Sequence, residues 1–524
     1  MHRKETHRRF DRRSFLATTG GIAAGATLST LPRLARAGGS AKFAWPYTLG
    51  VASGDPLSDA VVIWTRLAPA PQDPGGGMPS EPQPVCWEVA RDEHFHRIEC
   101  SGETLAWPEQ GHSVHVDVRG LDAARTYWYR FTAGGHQSPI GRTRTAPRAH
   151  HADRLRFAFA SCQHFETGYY TAYQHMAEED LDLVVFLGDY MYEGVPNPNG
   201  VRSHTGLAEP LSVDDYRARY ANYRSDQHLQ RAHALFPWIV TFDDHEVDNN
   251  WSADIPQDPD LQSTEAFLAR RAAAFQAYYE HMPLRRFSRA QGSSIQLYRR
   301  LGYGGLAKFH VLDTRQFRSV TTPCGYGNGP DCPAQLDPTR TMLGDEQDAW
   351  LLDGLHRSRA RWNILAQQVP FGFVDVGQGE QVETRHDKWD AYPTARQRVL
   401  DFMLEQRPGH PVVITGDLHN AWVQVAHADP RDPESTPLAS EFVGTSITSG
   451  GDGTDQTATA PVVLAKNPQV LFNSNRRGYV SCLVTPELWR SDFRAVPYVS
   501  TEGAPVSTIA SYVLENGNPV PYLD

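Results

Sequence analysis

The 524-residue sequence predicts an α/β protein: two packed mixed sheets flanked by helices, with an all-β segment ahead of them. Three observations predict it. After about residue 150, short apolar runs alternate with amphipathic stretches, as at 346–356 and 395–405. From 43 to 148 there are only short β-type runs divided by Gly/Pro turns. Six of the later apolar runs end in polar side chains able to meet a metal or a phosphate. Core packing alone does not predict that last regularity. In open α/β sheets, ligands bind beyond the carboxyl ends of strands, so the pattern points to a site.

In chain order, the all-β segment has runs at 61–64, 85–89 and 115–118 and a Pro-rich stretch at 69–82. Residues 120–131 resemble the late-strand corner of a fibronectin/Ig-like sandwich, in which a Tyr hydroxyl caps the turn. The segment holds no cluster of titratable residues and reads as a structural partner beside a cleft. After a linker at 143–148, a run at 156–162 ends in Ser161-Cys162. A helix at 170–180 follows. A buried strand at 181–187 then runs into Gly188-Asp189-Tyr190-Met191-Tyr192-Glu193, completing a βαβ unit. Later runs end in Asp243-Asp244-His245-Glu246, Asp313-Thr314-Arg315, Gln367-Gln368 and Gly416-Asp417-Leu418-His419. Arg315, Arg396, Gln367 and Gln368 read as structural. From Glu441 the chain is strand-rich, with a polar loop at 448–453 and helix or linker at 455–467. Residues 471–498 read as completing a sheet edge, and the tail beyond Ser500 gives no signal.

Composition narrows the classes. A net charge of -11 argues against dedicated nucleic-acid binding. Twelve Trp and 21 Tyr argue for a packed globule and against a disordered chain. Asp11-Arg12-Arg13-Ser14-Phe15-Leu16, a weakly apolar stretch at 17–31 and Ala35-Arg36-Ala37 resemble a twin-arginine (Tat) export signal over residues 1–37. Gly20, Gly21 and Gly25 make that stretch a poor anchor, and no other run of about 20 apolar residues exists. Export permits disulfides. Cys324 and Cys332 flank a short Gly/Asn/Pro loop and are candidates for a local bridge. Cys86 and Cys100 could pair across neighbouring strands, a matter of geometry. Cys482 lies in an apolar run and reads as a buried thiol.

The strand-end groups are Cys162, Asp189, Tyr192, Asp243, Asp244, His245, Asp417 and His419. Each alone fits a plainer reading: a core thiol, a packed ring, a polar turn. Their joint placement decides. Carboxylates gathered in a low-dielectric cleft repel one another, and polyvalent cations remove that cost. A carboxylate such as Asp189 can bridge two ions; a pair about 3.5–4 Å apart polarises a phosphoryl oxygen and generates hydroxide at neutral pH. Thiolate, phenolate and imidazole suit a transition metal. Carboxylate oxygens suit Ca²⁺, Mg²⁺ or Mn²⁺ beside it.

Phe159-Ala160-Ser161-Cys162-Gln163, Gly188-Asp189-Tyr190-Met191-Tyr192-Glu193, Asp243-Asp244-His245-Glu246-Val247-Asp248-Asn249-Asn250 and Gly416-Asp417-Leu418-His419 together resemble the alkaline phosphatase D (PhoD-like) family. Leu49-Gly50-Val51-Ala52-Ser53-Gly54-Asp55-Pro56, Trp389-Asp390-Ala391-Tyr392-Pro393 and Glu441-Phe442-Val443-Gly444-Thr445 extend the resemblance over nearly the whole mature chain. It implies a metallophosphoesterase-like α/β fold of the calcineurin and purple-acid-phosphatase kind. It divides the chain into a signal (1–37), an N-terminal sandwich domain (43–148) and a catalytic domain (153–500). It implies Fe³⁺ with Ca²⁺ beside it, other divalent ions being possible at the second site. Cys162 and Tyr192 would bind iron and Asp189 would bridge. Asp244 stands where the wider class has a metal-binding Asn, and His245 where that class has a phosphate-binding, proton-donating His. Asp417 and His419 fill the last metal motif; their ions stay open, with Asp417 leaning to calcium. The wider class opens with Asp-x-His, which is absent here, and Cys162 replaces it.

The expected function is an exported alkaline phosphatase. It would cleave phosphate monoesters, and diesters as well, through a metal-activated hydroxide held against Asp189, with His245 as proton donor. Monoester hydrolysis needs accelerations up to about 10²¹, which calls for more than a lone acid–base pair. Expected partners are a small or polymeric phosphate ester and, during export, the Tat translocase; no nucleic acid and no stable membrane span are expected. The mature chain would be periplasmic or secreted. Two alternatives stand beside this: a phospholipase D or teichoic-acid-type phosphodiesterase on the same scaffold, and a surface binding protein with structural metals. Replacing Arg12 and Arg13 together by Lys should strand activity in the cytoplasm as unprocessed precursor, seen by fractionation and blotting. Normal export of that variant would remove the Tat reading.

Overall fold

The six apolar runs divide three and three between two sheets. In the computed structural model, which describes residues 43–149, 152–206, 208–320 and 324–524, Leu155–Ala160, Leu183–Phe186 and Pro237–Val240 pair in parallel in the first. Ala307–Val311, Trp362–Gln367 and Pro411–Thr415 pair in parallel in the second, followed by Pro437–Val443. The predicted export signal lies outside the described residues. Strand alternation sorts the side chains. Phe157, Phe159, Val185 and Ile239 fill the space between the sheets with Phe309, Ile364, Val412 and Ile414. Ala158, Val184, Phe186 and Trp238 face outward onto one helical layer. Leu365 and Val413 face a second helical layer, made by Gly344–Arg357 and Pro393–Gln406. The result is helix, sheet, sheet, helix, as predicted. Strands buried on both faces read as continuous apolar runs, which made these six legible.

Several elements differ from expectation. The helix expected at 170–180 spans only Thr171–Met176. Glu178, Glu179 and Asp180 follow it, and carboxylates at a helix C-terminus oppose its dipole. Val213–Arg224, Gln227–Leu235 and Thr264–His281 cover the first sheet, and the first and third show no apolar stripe. The buried faces of the first and third carry Arg217, Arg219, Arg224, Arg270 and Arg271 among tyrosines, so burial there does not follow hydropathy. Their starts were readable: Ser212 and Asp215 form a capping box, and the Ser263 hydroxyl accepts from Ala266 N–H. The stretch expected at a sheet edge is central instead. The Val470–Val484 strand pairs through 470–474 with Ala421–His427 of the second sheet and through 480–484 with Leu155–Ala160 of the first. It thereby joins the two sheets. The tail beyond Ser500 adds Ser507–Glu515 and Tyr522–Leu523. Cys86 and Cys100 are both free: the strand register sets Cys86 opposite Glu103 and Cys100 opposite Val89, so their Sγ atoms are never neighbours. Cys324 is bridged to Cys332, and Cys482 is a buried thiol.

In the N-terminal segment, Gln83–Ala90, Ile98–Ala106 and Thr126–Ala133 form a sheet that faces Val51–Gly54, Ala60–Arg66 and Ser113–Arg119 across a core of Ile63, Val89, Tyr129 and Phe131. The Tyr127 hydroxyl accepts from Asp122 N–H at 2.8 Å, the expected corner bond. The facing strands do not stop at the segment's boundary. Val51–Gly54 pairs in parallel with Pro237–Val240, Gly54 opposite Trp238, so the first sheet continues into the N-terminal segment. Gly54 is required there, because a Cβ would lie 2.8 Å from the Trp238 carbonyl oxygen. Asp55 ends the strand and takes a bidentate grip from Arg299, Nη2 to Oδ1 at 2.8 Å and Nε to Oδ2 at 3.1 Å, both side chains buried. Removing one partner of a buried pair strands the other charge. Arg299→Met should therefore cost about 3–5 kcal/mol of unfolding free energy, measured by urea denaturation, with Asp55→Asn added restoring part of it. A loss near zero would show that the pair is not the tie between the segments.

Candidate metal centre

Three predicted ligands stand just beyond strand ends with left-handed backbones: Cys162 at φ 58°, Asp189 at φ 58° and Asp417 at φ 61°. Non-glycine residues seldom adopt this conformation, and it persists only where the surroundings enforce it. The turns are laced together. Cys162 N–H donates to Gly188 O and Gln163 N–H to Asp189 O, each at 3.1 Å. Cys162 O accepts from the Ser449 hydroxyl at 2.8 Å. Gly188, at φ 109°, lies so close to the next strand end that a Cβ would stand 2.6 Å from Asp243 Cβ. Glu246 accepts the backbone N–H groups of Asp189, Tyr190 and Asp243 at 3.1, 2.6 and 2.8 Å, fixing two strand ends with one side chain.

These turns bring six of the predicted residues together. Ligand atoms of Cys162, Asp189 and His419 lie within 4.8 Å of one another, and so do those of Asp189, Asp244 and His245. Asp189 belongs to both sets. Its Oδ2 accepts the Tyr192 hydroxyl at 2.9 Å, while its buried Oδ1 has no hydrogen-bond partner. The Tyr192 oxygen also lies 2.7 Å from the Ser449 hydroxyl oxygen and 3.2 Å from His419 Nε2. Asp417 belongs to neither set. Its Oδ1 meets Lys388 Nζ at 2.5 Å, and its Oδ2 is buried without a partner. Asp243 is bound by Arg315.

The donor set is short of positive charge. Burial, then the Asp189 charge, pushes the Cys162 thiol well above its ordinary value. Burial, then Asp189 and Cys162, does the same to the Tyr192 phenol. Burial likewise raises Asp189, against the pull of His245. A polyvalent cation allows thiolate, phenolate and carboxylate to ionise side by side. His419 is lowered to about 3 by burial and by His245, which leaves its imidazole neutral with a lone pair to give. The residues therefore fit metal ions: sulfur, phenolate and imidazole toward one side of Asp189, carboxylate oxygen toward the other.

His245 has the opposite character. Burial alone would lower it, but Glu193, Asp244 and Asp189 outweigh burial and raise it well above the ordinary histidine value. Its Nδ1 is held by Glu193 Oε2 at 2.7 Å, and its ring lies over Tyr192 with centroids 4.1 Å apart. Glu193 Oε1 also accepts Asn249 N–H at 2.7 Å, which fixes the carboxylate. Sequence reasoning did not single out Glu193, Glu246 or Lys388. Glu193 and Glu246 each sit within four residues of a motif Asp, but nothing in the sequence distinguishes an orienting Glu from a surface one. Arg315 was read as structural; it is fully buried and within reach of Asp243, Asp244 and Asp387.

The family model of the PhoD-like phosphatase matches residues 157–493, and that of its N-terminal domain matches 33–147. The chain belongs to the PhoD-like phosphatase family. It is 48% identical to alkaline phosphatase D of Bacillus subtilis (strain 168), over 97% of this chain and 88% of that one. A solved structure of PhoD superposes with a TM-score of 0.89 at 49% identity, covering 91% of this chain and 92% of that one. A purple acid phosphatase from yellow lupin (Lupinus luteus) seeds gives 0.53 at 13% identity, over 90% and 74% of the two chains, which shows a shared fold. As a member of the PhoD-like phosphatase family, the chain is a phosphoester hydrolase.

The Glu193–His245 contact makes the imidazole's orientation and protonation depend on one buried carboxylate. Glu193→Gln should lower kcat on a nitrophenyl phosphate ester by roughly 10- to 100-fold, with metal content unchanged. An unaltered kcat would remove Glu193 from the reaction.

Proposed function

We propose that this phosphatase is an exported, metal-dependent enzyme that cleaves phosphate monoesters and also diesters. In this reading Cys162, Tyr192 and His419 hold Fe³⁺, Asp244 and Asp417 hold a second, divalent ion, Ca²⁺ by preference, and Asp189 is shared. One observation carries it: Asp189 is common to both ligand sets and keeps a buried oxygen without a partner. Ions bound there would polarise a phosphoryl oxygen and acidify a water. The chain's own residues do the rest. Asp189 fixes the position from which the water attacks. Glu193 holds His245 by Nδ1, which leaves Nε2–H to donate to the phosphoryl group or the leaving alkoxide. The left-handed turns keep these groups in place before substrate arrives.

Export is supported by the twin arginine and by the Cys324–Cys332 bridge, since structural disulfides persist in oxidising compartments. Among the described residues, no helix is long and apolar enough to cross a membrane. We assign 43–148 to a fibronectin/Ig-like sandwich domain, supported by its facing sheets and its Tyr127 corner, and 153–500 to the catalytic domain.

The test is spectroscopic. Thiolate and phenolate on Fe³⁺ give charge-transfer absorption, so purified enzyme should be coloured and contain iron. Cys162→Ser should shift the band and weaken iron retention. Tyr192→Phe should remove phenolate absorption and most activity while the ring keeps the fold. Asp189→Asn should cost both metals and nearly all turnover. Chelation of Ca²⁺ should silence the enzyme reversibly without bleaching it. A colourless, iron-free preparation with full activity would overturn the ligand assignment.

A further inference from the structure

Lys388 is a basin residue to which neither ligand set gives a task. It is one of five lysines in a chain with 50 Lys and Arg. The guanidinium groups beside it, Arg315 and Arg318, have no exposed side-chain surface, and both grip Asp387. Lys388 keeps 13% of its side chain exposed. Its Nζ stands between Asp387 Oδ2 at 3.1 Å and Asp417 Oδ1 at 2.5 Å. An ammonium has three donors, and these contacts use two.

The plain alternative is a tether for Asp387 and Asp417. Asp387 does not need one, because Arg315 and Arg318 already hold both of its oxygens. The buried carboxylates Asp55, Asp243 and Asp387 are each held by the rigid fork of an arginine. A compact charge on a flexible stem suits an anion that arrives and leaves. The base of the stem is fixed. Trp389 opens the short helical turn Trp389–Ala391 and donates its Nε1 to Gln367 Oε1 at 2.8 Å. The tip lies beside the reaction centre. Arg315 Nη2 stands 3.9 Å from Asp417 Oδ1 and 3.4 Å from Asp244 Oδ2, so a single guanidinium nitrogen separates the partner of Lys388 from the Asp189–Asp244–His245 set.

We propose that Lys388 is a substrate-binding residue whose remaining N–H donates to a non-bridging oxygen of the phosphoryl group, and to inorganic phosphate after cleavage. Lys388 forms no covalent bond and takes no proton; it recognises the doubly charged group from the Asp417 side. The proposal rests on the reading that Asp189 and His245 mark the reaction centre.

Inorganic phosphate is the probe, used on the full metal-loaded enzyme both as a competitive inhibitor and by calorimetric titration. Metal content is measured on the same samples. A charge-assisted hydrogen bond is the contact at stake. Lys388→Met should weaken phosphate binding roughly 10- to 100-fold and raise KM alongside, with metal content as in the wild type. Lys388→Arg should recover part of both. Lys388→Gln, which can still donate to Asp417, serves if the Met variant does not fold and should show the same loss. Phosphate affinity within about twofold of wild type, with metals retained, would overturn the proposal. So would loss of metal in step with loss of phosphate binding, both restored in Lys388→Arg, because that marks a tether. Failure of the underlying reading shows elsewhere: the wild type itself would then bind no phosphate.

Discussion

The structure turns on one electrostatic constraint: acidic groups crowded at strand ends where water is scarce. Asp189 is the extreme case. It is buried, shares its space with Asp243, Asp244 and Glu246, and has Cys162 and Tyr192 as further potential anions. No arrangement of neutral side chains removes that repulsion, and protonating the whole group would leave a poor site for charge chemistry. The fold answers part of it with fixed cations and leaves part unanswered. Arg315 and Arg318 engage Asp243 and Asp387, while Asp189, Asp243 and Asp417 each retain a buried oxygen without a partner. Of these, Asp189 alone belongs to both candidate ligand sets.

Holding the crowd together requires backbone strain and bracing. Cys162, Asp189 and Asp417 adopt left-handed turns, each costing of order 1–3 kcal/mol. The cost is met by strands buried on both faces, by cross-bonds between the 162 and 189 turns, and by Glu246 gathering three backbone donors. The 470–484 strand contributes because it belongs to both sheets. The cleft between their ends therefore cannot widen without breaking one continuous strand. The sheet's continuation through Val51–Gly54 into the N-terminal segment extends the same bracing outward.

Much of this was legible in the sequence, and the reasons are local. A strand buried on both faces shows as an apolar run, and a ligand beyond it shows as Gly-Asp or Ser-Cys punctuation. That is why Cys162, Asp189, Tyr192, Asp244, His245 and His419 could be named and are found together. What escaped notice depends on partners distant in sequence. Glu193 differs from a surface glutamate only through His245, 52 residues away, and Lys388 only through Asp417, 29 residues away. Helices whose buried faces carry arginine and tyrosine hide from a hydropathy pattern, because their burial is bought with ion pairs such as Arg217–Glu280 and Arg270–Asp248. The sequence left a Cys86–Cys100 pairing open for a similar reason: register, which no spacing rule reveals, separates the thiols.

The distribution of positive charge bears on how such a site can be both stable and reactive. Guanidinium groups that bind carboxylates bidentately are stiff and keep their charge at any accessible pH. They can define the walls of the basin but cannot leave when a substrate enters. His245 and Lys388 occupy the other category. Each is held by a carboxylate through only part of its hydrogen-bonding capacity, Glu193 for the first and Asp387 with Asp417 for the second. Each thus keeps a donor in reserve. On the proposed reading, a phosphoryl group would meet donors whose orientation is already set by the protein. Little rearrangement is then needed as charge builds on its oxygens, the condition under which fixed dipoles and charges are most effective.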